Sequence, residues 1–300
     1  MAQTRGGSTA LAARVLHALA VNRKAKLNFP GVFMGLDGHE SGDGDVVLGF
    51  DDDSLFLDGQ RELNWSALCV LVDIALGSVT RIKAGPTKRP ATVQLQMQMT
   101  GAPVRERVVT HARFTAYSER TGMTQALSTA TIMSGETLVG HASGAFVMLD
   151  LPQGETQVAL PWVPEGVTAE PLSRAQLEPD ELDALKSAKR AEAAATQAHP
   201  FVEHFWCGIA KASEGKARLA IKVAPHLGNR VGHVHGGILM GAATSVANAA
   251  VPAHMRLSNV TAWFISPGLG PRLKVRSDVV QQGRNLAVVH TRIVGSTGKL

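Results

Sequence analysis

Residues 229–237 read NRVGHVHGG and stand directly before an apolar segment. In this stretch an asparagine comes first, a glycine lies in the middle, and His235 precedes the pair Gly236 and Gly237. Glycine lets a backbone approach a neighbour closely, and the N–H groups in the first turn of a helix have no partner within that helix. The stretch therefore predicts a loop and a helix N-terminus suited to negative charge on a ligand.

The apolar segment after the glycine pair has a counterpart earlier in the chain. The later segment runs from Gly237 to about Ala250, and the earlier one runs from Trp65 to Ile82. Segments typical of strands accompany both, at 92–100, 107–118, 124–134 and 137–149 in the first half and at 216–223, 259–265, 272–280 and 286–294 in the second. Each half therefore predicts one buried central helix wrapped by an antiparallel sheet, in an α+β architecture.

Two residue pairs suggest that the halves are duplicated. His235 corresponds to Asn64, and Thr244 corresponds to Asp73, each pair lying 171 residues apart (235 − 64 and 244 − 73). The predicted organisation is an N-terminal helical extension (1–28), a first unit (29–151), a linker with a helix (152–198) and a second unit (199–300). The second unit offers no counterpart of the strand 137–149, so we expect the chain to be truncated, because a missing strand would expose unpaired backbone groups.

Composition excludes several classes of function. Lys and Arg total 30 against 25 Asp and Glu, a mild excess that suits an anionic small ligand, while an aromatic share of 5% is low for a nucleic-acid surface. The cysteines Cys69 and Cys207 lack metal-site spacing, which favours a reducing compartment and a cytoplasmic protein. The stretch Leu11–Val21 is too short and too charged to cross a membrane, so a helix that packs on the first unit is expected, with a targeting helix as the alternative.

The spacing N-x-x-G-x-x-H-G-G resembles the signature of hotdog-fold acyl-CoA thioesterases of the phenylacetate-pathway type. The resemblance covers both halves and implies a tandem, double hotdog that hydrolyses the thioester of an acyl-coenzyme A without a metal or a redox cofactor. It further implies that the Gly236 N–H polarises the thioester carbonyl, that His235 orients the loop, and that Asn229 places the carbonyl or the attacking water. Gly232 and Gly237 would line the substrate site.

The family carries an acidic residue nine positions after the motif histidine, as general base or nucleophile. Thr244 occupies that position here, but Asp73 lies nine residues after Asn64 in the first half. The second half has the glycine pair but not the acid, and the first half has the acid but not the glycine pair. In the family a site forms across two units. We therefore expect one composite site in which Asp73 faces Gly236, with Thr92 at the position where the family holds a water.

Coenzyme A would need basic partners for its phosphates, a role that suits Arg and Lys. The resemblance favours a basic residue beside glycine in a late hairpin. The candidates are Gly283 with Arg284, Arg120 with Gly122, and the cluster Arg81, Lys83, Lys88 and Arg89. A double-hotdog chain could also assemble into a homo-oligomer.

Three other functions would each require a different sequence feature. Hydration of enoyl-CoA by a hotdog protein uses an Asp with a His five residues later, and no Asp in this sequence has that spacing. Hydrolysis through Ser-His-Asp would be expected to show the G-x-S-x-G turn, which is also missing from the sequence. A non-catalytic acyl-CoA sensor would keep the pocket without the acid, and it remains the main alternative.

Overall fold

The computed structural model describes residues 4–25, 28–41, 43–120, 123–157, 160, 162, 169–229, 231–267 and 270–295. Its helices are α1 (Thr4–Ala25), α2 (Phe29–Met34), α3 (Trp65–Ala84), α4 (Pro179–Ala194) and α5 (Gly236–Ala250). The two central helices, α3 and α5, pack against each other and against separate sheets. In the described part of the chain, α3 is the helix long and apolar enough to cross a membrane, and it is mostly buried as the core of the fold.

Seven strands form the first sheet, in the order β1-β2-β4-β5-β6-β3-β9. They are β1 (Asp37–Ser41), β2 (Asp45–Phe50), β3 (Lys88–Met99), β4 (Val108–Arg120), β5 (Met123–Ser134), β6 (Thr137–Asp150) and β9 (Asn259–Trp263). Every pair is antiparallel, and α3 packs on one face. The alternating burial of β5, with Ala126, Ser128, Ala130 and Ile132 inside, matches this one-sided packing.

The second sheet has four strands in the order β11-β10-β8-β7 and packs on α5. They are β7 (Lys211–Ser213), β8 (Lys216–Lys222), β10 (Arg272–Gln282) and β11 (Ala287–Val294). The strand β9 follows α5 as β3 follows α3, and these two equivalent strands pair from Gln94 with Trp263 to Gln98 with Asn259. The two helix–sheet units are therefore joined along β3 and β9.

The predicted α+β hotdog class is confirmed by this architecture, and most element bounds lie within a few residues of those expected. One segment was predicted wrongly. The glycine and aspartate content of residues 31–64 predicts turns, but these residues contain most of α2 and the strands β1 and β2. Short strands with Gly and Asp at their ends have weak periodicity, which explains the error.

The helices outside the two units brace the first one. Leu11, Val15 and Leu19 of α1 are buried in the core. The linker helix α4 lies against α1, where Arg23 Nε donates to Glu181 Oε1 at 2.7 Å. The Ala-, Glu-, Lys- and Leu-rich residues 172–196 of the linker predict one helix, but Pro179 begins α4 and a separate short turn covers Arg174–Gln176.

Candidate active site

Asp73 lies where the two central helices meet. Its side chain is buried, on α3, and its Oδ2 accepts a hydrogen bond of 2.7 Å from the Gly237 N–H of α5. Thr92 of β3 donates its hydroxyl to Oδ1 at 3.1 Å. A buried carboxylate is costly without hydrogen bonds, and these two bonds hold it in a fixed orientation. The structure thus brings together the acid of the first unit and the glycine pair of the second.

His235 is the N-cap of α5 and is buried beside the same carboxylate. Its Nδ1 lies 3.1 Å from the Gly237 nitrogen and 3.3 Å from Asp73 Oδ2. Burial lowers the pKa of His235, although the nearby Asp73 acts in the opposite direction. As the N-cap, Nδ1 accepts the Gly237 N–H, so a neutral imidazole carries its proton on Nε2, and His235 orients the first turn of α5 beside the carboxylate.

The glycine pair is required by close packing as well as by ligand access. A Cβ at Gly237 would lie 2.6 Å from the Val70 Cα, and a Cβ at Gly236 would lie 2.8 Å from Asp73 Oδ2. The Gly237 N–H is therefore directed to Asp73 and buried, which differs from the substrate-lining position predicted for this residue. The Gly236 N–H lies one position earlier in the first turn, where helix geometry provides no partner.

Asn229 shapes the loop rather than presenting its oxygen to the cavity. Its Oδ1 accepts from the N–H groups of Val231 and His233, at 3.0 and 3.1 Å, while its backbone N–H donates to the His233 carbonyl at 2.7 Å. Gly232 has a φ of +81°, a conformation that favours glycine, and it is exposed. The structure therefore places Gly232 in the turn that precedes His235, and its predicted role in substrate binding stays a prediction.

A cavity of about 490 Å³ connects these residues with the surface. Asp73, Thr92, His235, Gly236 and Asn229 all line it, as do Arg81 and Arg89. Exposed residues border one side, including Val231 and Ile265, whereas the other side is walled by buried apolar residues. A larger open groove, of about 790 Å³, lies on the outer face of the first sheet and is lined by none of the predicted site residues.

The predicted contacts for the coenzyme are scattered. Arg89 lines the cavity, but Lys88 instead pairs with Asp150 at 4.0 Å. Gly283 and Arg284 lie in the exposed turn between β10 and β11 and are not part of the cavity wall. Gly122 and the Arg120 side chain lie outside the described residues. Within the cluster, Arg81 is buried and bonds to Gln157 through Nε.

At the N-terminus of α3, the position equivalent to this site, other parts of the protein contact the helix end. Asn64 caps α3 as His235 caps α5, but its side chain also donates to Glu203 at 3.2 Å. Glu203–Cys207 forms a short π-helical turn, and the Cys207 Sγ lies 3.9 Å from the Ser66 hydroxyl. Thr244 is buried and donates to the Gly241 carbonyl at 2.8 Å.

Neither cysteine is suited to act as a nucleophile. Cys69 and Cys207 are free and buried. Burial raises the pKa of both thiols, to about 12 for Cys207. A thiol rather than a thiolate is therefore present at neutral pH.

Sequence reasoning missed several residues that line the cavity. Ile74, Gly77, Phe146 and Trp162 form part of its wall, together with Asn28. Trp162 comes from the linker, where a tryptophan between two prolines, PWVP at 161–164, was the available signal. Gly77 shares the face of α3 that carries Asp73, since positions four residues apart lie on the same side of a helix.

Comparisons with known proteins concern the fold and one segment of the sequence. Residues 225–298 match the sequence model of the acyl-CoA thioesterase N-terminal domain. A hot dog fold protein of unknown function from Alicyclobacillus acidocaldarius is 12% identical and aligns over 86% of this chain and 90% of its own, with a TM-score of 0.50. No match was found among curated protein sequences.

Two single-unit structures also match part of the chain. A mutant of the phenylacetic acid degradation protein PaaI from Thermus thermophilus is 19% identical, over 39% of this chain and 95% of its own, with a TM-score of 0.33. A thioesterase from Haemophilus influenzae is 12% identical, over 40% of this chain and 82% of its own, with a TM-score of 0.35. The chain therefore has the hotdog fold, and its residues 225–298 are similar to the acyl-CoA thioesterase N-terminal domain.

Proposed function

We propose that this protein hydrolyses acyl-coenzyme A thioesters at one composite site, with Asp73 as the general base or nucleophile. The observation that carries the proposal is the 2.7 Å bond from the Gly237 N–H to Asp73 Oδ2, because it joins the acid of one unit to the glycine-led helix of the other. The match of residues 225–298 to a thioesterase domain supports this class of reaction.

In this proposal α5 provides the hydrogen-bond donor and α3 provides the acid. The Gly236 N–H at the N-terminus of α5 would donate to the carbonyl oxygen as negative charge develops on it, in a preorganised and water-poor setting. Asp73 would supply the nucleophile, either by taking a proton from water or by attacking the carbonyl carbon itself. In both routes the C–S bond breaks, coenzyme A leaves as a thiolate that takes up a proton, and the acyl group becomes a carboxylate.

Thr92 and His235 act as positioning residues in this scheme. Thr92 fixes Oδ1, the Gly237 N–H fixes Oδ2, and His235 caps the turn that presents this N–H. Asp73 lines the cavity, where the reacting carbonyl would lie. We propose that coenzyme A occupies the exposed side of the cavity near Val231 and Ile265, with Arg89 available to a phosphate.

A panel of acyl-CoA thioesters assayed for release of free thiol tests the proposal directly. We expect turnover by the wild-type protein and a fall in kcat of about 1,000-fold in Asp73→Asn, within the range for loss of a general base. Asparagine keeps the size of the side chain and an oxygen for the Gly237 N–H. Tight binding of acyl-CoA without any thiol release would contradict hydrolysis and favour the sensor.

A single turnover in ¹⁸O-labelled water tests for the nucleophilic route in which water attacks the aspartyl carbon. If Asp73 activates water, the first carboxylate product contains ¹⁸O. If Asp73 attacks the carbonyl and water then cleaves the anhydride at the aspartyl carbon, the first product contains unlabelled oxygen from the protein. Mass spectrometry of the product acid at substoichiometric substrate provides the readout.

A further inference from the structure

The outer face of the second sheet concentrates positive charge. Along β8 and β10 every second residue packs towards α5, and Ile221, Leu273 and Val275 are buried there. The residues between them point away from the helix, because successive side chains of a strand face opposite sides. Eight exposed residues on this outer side are lysine or arginine, and they are called the basic face: Lys211, Lys216, Arg218, Lys222, Arg272, Lys274, Arg276 and Arg292.

The register of the strands aligns half of these cations in one row. Lys211 of β7 lies opposite Arg218 of β8, Arg218 lies opposite Arg276 of β10, and Arg276 lies opposite Arg292 of β11. Neighbouring strands are about 4.8 Å apart, so the row crosses the whole sheet in about 14 Å. Like charges directly opposite each other destabilise a sheet. The row therefore costs stability in the free protein, and a partner with negative charge would relieve that cost.

Acidic side chains offset little of this charge. Lys222 pairs with Asp183 of α4 at 3.2 Å. Within the described part of the chain, the other seven cations of the basic face form no ion pair. Asp278 on β10 and Glu214 in the turn before β8 are the exposed acids of these four strands and their two hairpin turns. The basic face thus keeps a large excess of positive charge.

Three exposed apolar side chains lie at one end of the same sheet. Val280, Leu286 and Val288 are 65%, 65% and 51% exposed, at the hairpin that joins β10 to β11. The Gly283 N–H donates to the Leu286 carbonyl at 2.8 Å and closes this hairpin. Exposed apolar side chains grouped beside polar ones mark interaction sites. Their position beside the basic face suits a partner that has negative charge at its surface and hydrocarbon beneath it.

We infer that the basic face docks on an anionic lipid bilayer, with the hairpin around Leu286 entering between the headgroups. Lysine and arginine are attracted to anionic headgroups, and apolar side chains gain free energy when they leave water. A nucleic acid suits this surface less, because its described strands present no Phe, Tyr or Trp on which bases could stack. A second copy bound symmetrically through the same face would set the row of cations against itself.

Sedimentation with lipid vesicles tests the inference on the whole chain. We expect the protein to sediment with vesicles of equal parts phosphatidylcholine and phosphatidylglycerol, and to stay in solution with vesicles of phosphatidylcholine alone. Added salt should release it, since the screening length falls from about 10 Å at 0.1 M to about 3 Å at 1 M. This salt titration needs no variant, so it holds whether or not the variants fold.

A matched pair of double variants locates the binding surface. Arg218→Gln with Arg276→Gln should weaken binding to the anionic vesicles by about 30-fold, the loss expected for two cations near a charged membrane. Arg61→Gln with Arg113→Gln removes the same net charge from exposed positions of the first unit and should bind like the wild type.

A second pair of variants tests the hairpin. Leu286→Asn should weaken binding by about five-fold, because an apolar side chain that enters the bilayer is replaced by a polar one. Met123→Asn, at a position of β5 that is 54% exposed, should leave binding unchanged.

Several results would overturn the inference. Failure of the wild type to sediment, equal binding to both kinds of vesicle, or equal losses in the two double variants would each exclude a lipid-docking basic face. Binding of a duplex oligonucleotide without binding of vesicles would identify a nucleic-acid surface instead. A change of molar mass in Arg218→Gln with Arg276→Gln, measured by light scattering, together with no vesicle binding by the wild type, would make the face an interface between copies. The assay contains no thioester, so its result is independent of the proposed hydrolysis.

Discussion

The N-termini of α3 and α5 occupy equivalent places in the two units but have opposite surroundings. At α5 the cap His235 is followed by two glycines, and the Gly237 N–H reaches the acid of the opposite helix. At α3 the cap Asn64 is followed by Trp65 and Ser66, and the opposite helix presents Thr244. A similar helix end therefore supports an open site in one case and a closed one in the other.

The difference arises because α5, and not α3, has glycine at both points where the two helices come into close contact. Gly237 lets α5 approach the backbone of α3 at Cys69 and Val70. On the other side of the crossing, a Cβ at Gly241 would lie 2.5 Å from the Ser66 Cα, so α5 again supplies the glycine. Ser66 occupies in α3 the position that Gly237 has in α5, and its hydroxyl lies 3.9 Å from the Cys207 Sγ of the turn Glu203–Cys207. The two helix ends are therefore not interchangeable, and the proposed site uses only the one at α5.

The largest effect should come from comparing the two equivalent helix positions. We expect Asp73→Ala to lower kcat by about 1,000-fold or more, because it removes the base and leaves the Gly237 N–H without its acceptor. Thr244→Ala should change kcat less than about two-fold and cost about 1 kcal/mol of stability, the value of its bond to Gly241. Thiol-release kinetics on the two variants make the comparison, and a large loss in Thr244→Ala would show that the sites are assigned the wrong way round.

Much of this contrast could be predicted from sequence. The 171-residue offset related Asp73 to the motif of the second half, and the resemblance to a family whose sites form across two units placed it opposite Gly236. The α+β class followed from the periodicity of the helices and strands. Where a residue's effect depends on its own turn, as for His235 at the start of α5, local rules were sufficient.

The parts that could not be predicted depend on tertiary packing. Asn229 lines the cavity, but its oxygen is engaged by its own loop, and its role in placing the carbonyl or the water stays a prediction. Arg284 was expected at the coenzyme because of the glycine beside it, yet the turn between β10 and β11 is not part of the cavity wall. Trp162 could not be placed because no periodicity links a proline-bounded linker to a cavity on α3.

Acid should destabilise the side of the molecule that closes the unused site. His226 is buried against Phe205 of that closing segment, its Nε2 lies 3.0 Å from the Phe205 carbonyl, and burial lowers its pKa to about 4. Above about pH 6.5 the imidazole is neutral in both the folded and unfolded states. As the pH falls to 4 the unfolded state binds the proton first, so about 3 kcal/mol of stability is lost.

Urea unfolding between pH 7.5 and 4 measures this loss. His226→Gln keeps a polar group for the Phe205 carbonyl but cannot take up a proton, so its free energy of unfolding should fall less steeply with acid. His254→Gln, at an exposed position, removes one imidazole elsewhere and should retain the wild-type slope. Identical slopes in wild type and His226→Gln would contradict the assignment. Some slope should persist in every variant, because burial also lowers the pKa of His235.

The smallest of these effects concerns the donor end of the open site. A Cβ at residue 236 would lie 2.8 Å from Asp73 Oδ2 and 3.5 Å from the Phe264 ring, so Gly236→Ala must shift either the carboxylate or the helix end. We expect kcat to fall by about 30-fold, or about 2 kcal/mol, because the donor and the acid would no longer face one carbonyl. KM should change little, since the buried apolar residues of the cavity wall are unchanged. A rise in KM with kcat preserved would mean that residue 236 only shapes binding, and the oxyanion donor would then have to be sought elsewhere on the cavity wall.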